Sequence, residues 1–440
     1  MNGRRCQVVT LIAVVAATVP LAAQRQTMES AAALERWVAA VDGHTPGKPD
    51  ASIEYATSIA YSGRVDLHTA YLLFIRVLRD ETVVARSDMD TNVIEQARKV
   101  RTNPGPAAFL KRAAVLHTDA LIFADRFPAP KDDAPAPLPR VVRETVDGFT
   151  SVARRTDAVP PLLLNEWITL TRDGELVGST KADWKIPFAR SLLDVLLRLP
   201  VEGSEKPAAF VGEWYHAVAA FLFARGDFAD AGPHLEHGAR VLPDNPHVLF
   251  DLGTGAETYG LPVYQVVFDD PAVRKPGMRA GLPSENKTNA DAERAYRRTI
   301  AVDPAYVEAH VRLARLLERR GQIDEAASHI DSALAAKPTG VPGFYAYLIA
   351  GRIASTRGRF DEALHHYRSA LGLYAHAQSA LLGASHAALM GADLPAALKP
   401  LVQLARDETP DADPWLDYQL GAGRDSTALL EALWRRVARR

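Results

Sequence analysis

The sequence predicts a mostly α-helical fold, an α-α superhelix of stacked helix pairs in its C-terminal half, and three recurring features predict it. A glycine-led turn occurs four times, as Gly226-Asp-Phe-Ala-Asp-Ala231, Gly321-Gln-Ile-Asp-Glu-Ala326, Gly358-Arg-Phe-Asp-Glu-Ala363 and Gly391-Ala-Asp-Leu-Pro-Ala396. A small residue stands twelve positions before each of those alanines, at Ala219, Ala314, Gly351 and Ala384. Prolines that cannot extend a helix follow at Pro243, Pro304 and Pro338, the last two 34 residues apart.

Each feature has a physical reason. Glycine suits a left-handed turn after the first helix of a pair, and an apolar residue (Phe228, Ile323, Phe360, Leu394) fills the corner. Two small residues, one per helix, let antiparallel backbones approach closely. Around them Val218, Leu222, Leu313 and Leu317 continue one apolar stripe at helical spacing. Glycine, alanine and proline in this phase resemble the tetratricopeptide repeat, a helix-turn-helix unit of about 34 residues. The resemblance divides the chain into units at 212–245, 246–306, 307–340, 344–376 and 377–410. The second unit spans 61 residues, and its excess forms an insertion at 260–285 that contains the apolar run Leu261-Pro-Val-Tyr-Gln-Val-Val-Phe268. In the fifth unit Pro400 predicts a second helix that is kinked or starts late.

The remaining elements are taken in chain order. Residues 1–23 carry Arg4 and Arg5, an apolar run from Val8 to Val19 and a small-residue exit at Ala22-Ala23, the pattern of a secretory signal peptide. The expected destination is the periplasm or the cell exterior, with no integral membrane span after cleavage. An uncleaved N-terminal anchor is the alternative. Residues 24–127 form an N-terminal helical region with helices expected at Ala31–Val41, Ala51–Ser62, Asp66–Arg79, Thr91–Arg101 and Pro106–Arg126. The third of these is apolar nearly all round and is expected to be central. Residues 128–139 hold five prolines in twelve positions, a stiff linker. In the connector 140–205, Asp147-Gly148 and Asp173-Gly174 each divide two strand-like runs, which predicts a small β-hairpin insert. A helix from Ile186 to Leu199 leads into the solenoid of 206–410, and 411–440 supplies a capping helix from Ala428.

Composition narrows the chemistry. The 440 residues are 48% hydrophobic and 24% charged, so the chain is globular and too polar for a membrane bundle. With 51 basic and 53 acidic residues, no basic field exists to hold nucleic acid. The one cysteine, Cys6, lies in the leader, so a mature chain has no disulfide and no thiolate nucleophile. No Gly-x-Ser-x-Gly, His-Glu-x-x-His or phosphate-loop pattern occurs. His234, His329 and His366 fall at equivalent places on second helices and are expected to be solvated, and His234-Leu-Glu-His237 lacks a third metal ligand. No catalytic residue, metal or cofactor is expected.

The resemblance implies a concave groove lined by first helices that receives extended or helical peptides. Arg312, Arg315, Arg319, Arg352, His216 and Phe223 are the residues expected to line it. Guanidinium groups there favour an acidic protein or peptide partner through bidentate hydrogen bonds. The chain is thus expected to be a non-catalytic scaffold. The alternative is an envelope enzyme or small-ligand-binding protein with its site in 30–200 and the repeats used for docking.

Overall fold

A computed structural model of the chain describes residues 31–44, 65–126, 185–199, 206–261, 285–406, 413–419, 421 and 425–438. The fold is mostly α, an α-α superhelix preceded by a helical region, and the described residues divide into two compact units. The expected hairpins, the Pro-rich linker, the leader, the helix Ala51–Ser62 and nearly all of the 260–285 insertion lie outside the described residues.

The first unit comprises residues up to Pro207 together with Leu430–Arg440. Its helices are α1 (31–43), α2 (Val65–Arg79), α3 (Asp88–Thr102), α4 (Pro106–Arg126) and α5 (Lys185–Leu196). Ser87 caps α3 by accepting from the Asp90 amide. The centre is aromatic: Trp37 is fully buried and meets Tyr71, Phe74 and Phe109 edge-on at 5.5, 6.0 and 5.3 Å. Tyr71, Phe74, Ile75, Val77 and Leu78 of α2 are all buried, as the apolar circumference of that helix requires.

The second unit, Ala208–Leu429, contains the helix pairs. They are α6 (Pro207–Ala224) with α7 (Phe228–Val241), α8 (Pro246–Tyr259) with α9 (Glu285–Val302), α10 (Val307–Arg319) with α11 (Ile323–Ala335), α12 (Gly340–Thr356) with α13 (Phe360–Leu373), and α14 (Gln378–Met390) with α15 (Leu394–Arg406). A short helix α16 (Pro414–Gln419) and a last helix α17 (Ser426–Ala438) follow. From Leu430 onward α17 groups with the first unit.

The tight turns obey one rule. Asp227, Gln322, Arg359 and Asp393 each donate a backbone N–H, at 2.9 Å, to the carbonyl of Leu222, Leu317, Ala354 and Ala388 respectively. In the first three the residue before that donor is a glycine at φ 72°, 74° and 71°, but in the last it is Ala392 at φ 61°. This corrects the register of the fifth unit by one residue. The left-handed position is Ala392 rather than Gly391, the buried small residue of the second helix is Ala397 rather than Ala396, and its partner twelve residues earlier is Ser385 rather than Ala384. The Ser385 hydroxyl donates to the Ala397 carbonyl at 2.8 Å, so the two helices meet there through a hydrogen bond. α15 starts at Leu394, in step with the other second helices, and carries Pro400 within it.

Close approach is visible at the small positions. A Cβ added at Gly253 would lie 2.5 Å from the Tyr296 ring, and one at Gly351 2.7 Å from the Tyr367 ring. Tyr367 also fills the space left by Gly383, 2.5 Å from its notional Cβ. One second-helix tyrosine therefore wedges between its own first helix and the next, which is how consecutive pairs interlock.

Candidate functional site: the concave face and its occupant

Of the first helices, α6, α10 and α12 carry the residues that the sequence assigned to a groove, and residues 413–419 and 421 of the same chain lie against all five first helices, α6, α8, α10, α12 and α14. Starting at α14, Asp413 accepts from the Ser379 amide at 2.6 Å and the Ser379 hydroxyl at 3.0 Å. The same carboxylate caps α16 by accepting from the Trp415 amide at 3.0 Å. At α12, Tyr345 donates its hydroxyl to the Pro414 carbonyl at 2.5 Å and meets the Tyr418 ring edge-on at 4.8 Å. At α10, the Arg312 guanidinium lies 4.0 Å from the Tyr418 ring centre and donates to the Tyr418 carbonyl at 3.3 Å, and Arg315 lies 5.6 Å from the Trp415 ring centre. At α8 and α6, Gly421, at φ 70°, sits so close that an added Cβ would be 3.0 Å from Thr254 and Thr258 and 3.7 Å from Phe223. The segment thus crosses the repeats from last to first.

Buried charge holds this arrangement together. Arg312, 5% exposed, donates to Glu257 at 2.9 Å, and Tyr296 donates to the same carboxylate oxygen at 2.8 Å. Burial, with the Glu257 charge nearby, raises the pKa of the Tyr418 and Tyr296 phenols well above the usual tyrosine range, so both stay neutral. Glu318 accepts from Arg315 at 2.5 Å and from Arg352 at 3.1 Å, linking the two equivalent arginines through one carboxylate. Burial, and then Arg352 alongside, lower the pKa of Arg315 from its ordinary value.

The six residues assigned from sequence are therefore placed as follows. Arg312 and Arg315 hold the chain's own segment. Arg319 pairs with Glu285 at 2.5 Å, and Arg352 keeps 37% of its side chain exposed. His216 is buried, its Nδ1 2.9 Å from an Asp251 carboxylate oxygen that is itself out of solvent. Phe223 is buried beneath Gly421 and beside Phe228. Sequence reasoning missed Glu257, Glu318, Tyr345 and Ser379, along with the occupant itself. The aromatic run Pro414-Trp-Leu-Asp-Tyr418 was the available signal.

The histidines differ from the solvated expectation. His234 is 1% exposed between the Trp214 and Tyr215 rings, at 5.4 and 4.6 Å, and His237 is also buried. His329 is half-buried, its Nδ1 3.0 Å from Nδ1 of His310. Among the described residues no group of three His, Cys, Asp or Glu is arranged to hold a metal, and no helix is long and apolar enough to cross a membrane.

Comparison with known proteins agrees with this geometry at the level of the repeat. No curated protein matches the chain. Among solved structures, MamA 41-end from Desulfovibrio magneticus RS-1 is 15% identical, with a TM-score of 0.34 over 45% of this chain and 96% of that one. PilW, a widely conserved type IV pilus biogenesis factor, is 18% identical, with a TM-score of 0.36 over 51% of this chain and 93% of that one. Yeast Tom70 is 13% identical, with a TM-score of 0.33 over 88% of this chain and 92% of that one. At these scores the likenesses carry no argument. The family profile that matches is the tetratricopeptide repeat, over residues 286–341 and 350–413, the helix pairs that build the greater part of the concave face.

Proposed function

We propose that the chain is a non-catalytic, exported scaffold that binds protein partners through the concave face of its repeats. The single observation that carries the reading is the occupant. Five first helices together engage a short polypeptide through a capped helical turn, two aromatic rings and two main-chain carbonyls. A surface that grips one peptide segment by its backbone and rings has the chemistry to grip another. Its donors are arginines, which supports an acidic partner. The pattern of residues 1–23 supports export to the periplasm or the cell exterior.

A photo-crosslinking amino acid in place of Arg352, whose side chain remains part exposed, tests the reading in the intact chain inside its native cell. The expected result is covalent capture of a protein partner that is absent when the same group replaces an exposed second-helix residue such as Asp361. Equal capture at both positions, or none at Arg352, contradicts it. Fractionation of the same cells tests export: the expected chain is in the periplasm or medium and lacks residues 1–23, and an intact chain in the cytoplasm contradicts it.

A further inference from the structure

We infer that the partner of the groove presents the chemistry of segment 413–421, an aspartate capping one helical turn with a tryptophan and a tyrosine or phenylalanine three positions apart, and that 413–421 is the resident occupant this partner displaces. The inference rests on the groove-binding reading above and adds the partner's chemistry and its regulation.

The contacts are economical and repeatable by another chain. Asp413, Trp415 and Tyr418 supply the cap and both rings, and spacing of three puts the two rings on one side of the turn, stacked 4.7 Å apart. What the groove reads from the main chain, the carbonyls of Pro414 and Tyr418, any peptide in this conformation offers. The segment's sequence holds Asp413 and Asp417, and the face it covers holds Arg312, Arg315 and Arg352, so charge favours the same class of ligand.

The fit is nevertheless incomplete. Tyr418 Oη is buried with no hydrogen-bond partner, and so is Arg352 Nε. A buried donor left unpaired opposes docking, so the occupant is not the best ligand this surface accommodates. A partner with phenylalanine in the tyrosine place leaves no orphaned hydroxyl, and one with an acceptor near Arg352 satisfies that donor as well. The resident segment has the advantage of attachment: a covalently tethered ligand competes at a high effective concentration, and the affinity of any free ligand falls in proportion to the fraction of vacant groove. The groove is therefore gated, opening to partners that exceed the internal segment in fit.

The test uses a labelled synthetic peptide of residues 411–421, titrated into the full chain and into its W415A/Y418A variant. Binding to the variant should be at least tenfold tighter than to the unchanged chain, and the peptide with Phe at the Tyr418 position should bind tighter still. A folded variant that ignores the peptide, or equal affinity for both proteins, overturns the inference. Hydrogen exchange on the unchanged chain covers the case of a variant that fails to fold. The Trp415 and Gly421 amides, bonded to Asp413 and to the Tyr418 carbonyl, should exchange at least tenfold faster than the central amides of α10 and α12. Equal protection marks the segment as a fixed part of the core and overturns displacement. A concentration-dependent dimer of the unchanged chain that the peptide dissolves would assign the groove to a second copy, against the foreign partner inferred here. If Arg352 crosslinking captures a partner while the peptide arm fails, the motif is wrong and the groove reading stands. The converse result isolates the failure to the groove reading in the cell.

Discussion

Two of the surfaces that a solenoid leaves without a neighbouring repeat are its concave face and the outer side of its last helix pair, and this chain finishes them differently. The concave face holds Glu257, Arg312 and Tyr296 out of solvent and is covered by residues 413–419 and 421. The last pair leaves Leu394, Leu398, Leu401 and Val402 of α15 between 40% and 56% exposed, at positions that share one side of the helix. The difference teaches where the segment is needed. Charges and a phenol already out of water require specific partners, and a face that gathers them binds a polypeptide with defined geometry. A stripe of leucines requires only apolar contact and selects nothing in particular.

The largest expected effect tests the concave face. Arg312→Ala leaves Glu257 buried with only the Tyr296 hydroxyl and removes a contact to the occupant, so it should cost about 3–5 kcal/mol of stability by denaturant unfolding. A loss under about 1 kcal/mol would show that the pair is already hydrated. The next tests the interlock between pairs. Gly351→Ala drives a methyl into the Tyr367 ring and should cost roughly 1–3 kcal/mol despite the better helix propensity of alanine.

A titration gives a third, smaller contrast. Burial, reinforced by a neighbouring histidine, lowers the pKa of His247 on α8 and of His329 on α11 below the ordinary 6.5. Both groups resist protonation when folded but accept it when unfolded. The stability they contribute is present above about pH 6.5 and declines as the pH falls below it. The midpoint of thermal unfolding should therefore drop between pH 7.5 and 5.5, and less so in His247→Gln. The smallest effect belongs to the bare end. Leu398→Lys should change stability by no more than about 0.5 kcal/mol, because the side chain is half exposed. A larger loss would mean that the stripe is covered in solution.

Much of the fold was legible because helix pairing is written in small residues and turns. Ala314, Ala326, Gly351 and Ala363 are buried where the twelve-residue spacing placed them. The fifth unit shows the limit. Glycine identity drew the register to Gly391, yet the left-handed position can be filled by alanine at some strain, and the hydrogen bond from Asp393 to Ala388 reveals the true phase. Arg312 and Arg315 meet the chain's own segment, whereas Arg319, chosen by the same spacing, pairs with Glu285. The partners of Arg312 and Arg315 were not legible. Glu257 and Glu318 look like ordinary surface carboxylates until the helices stack, and Asp413, which binds Ser379, lies beyond the last unit that the repeat pattern defines. Side chains that close a site across repeats leave no mark in local spacing.

The central claim is that the chain's own 413–421 segment occupies its concave face, and one crosslink tests it directly. Ser379 and Asp413 lie with hydroxyl and carboxylate 3.0 Å apart, and Cys6 is the chain's one native cysteine. In S379C/D413C with C6S, mild oxidation should form an intramolecular disulfide in nearly every molecule, and the locked protein should no longer bind the 411–421 peptide until it is reduced. Two free thiols after oxidation, in a chain that still unfolds cooperatively, would contradict the account.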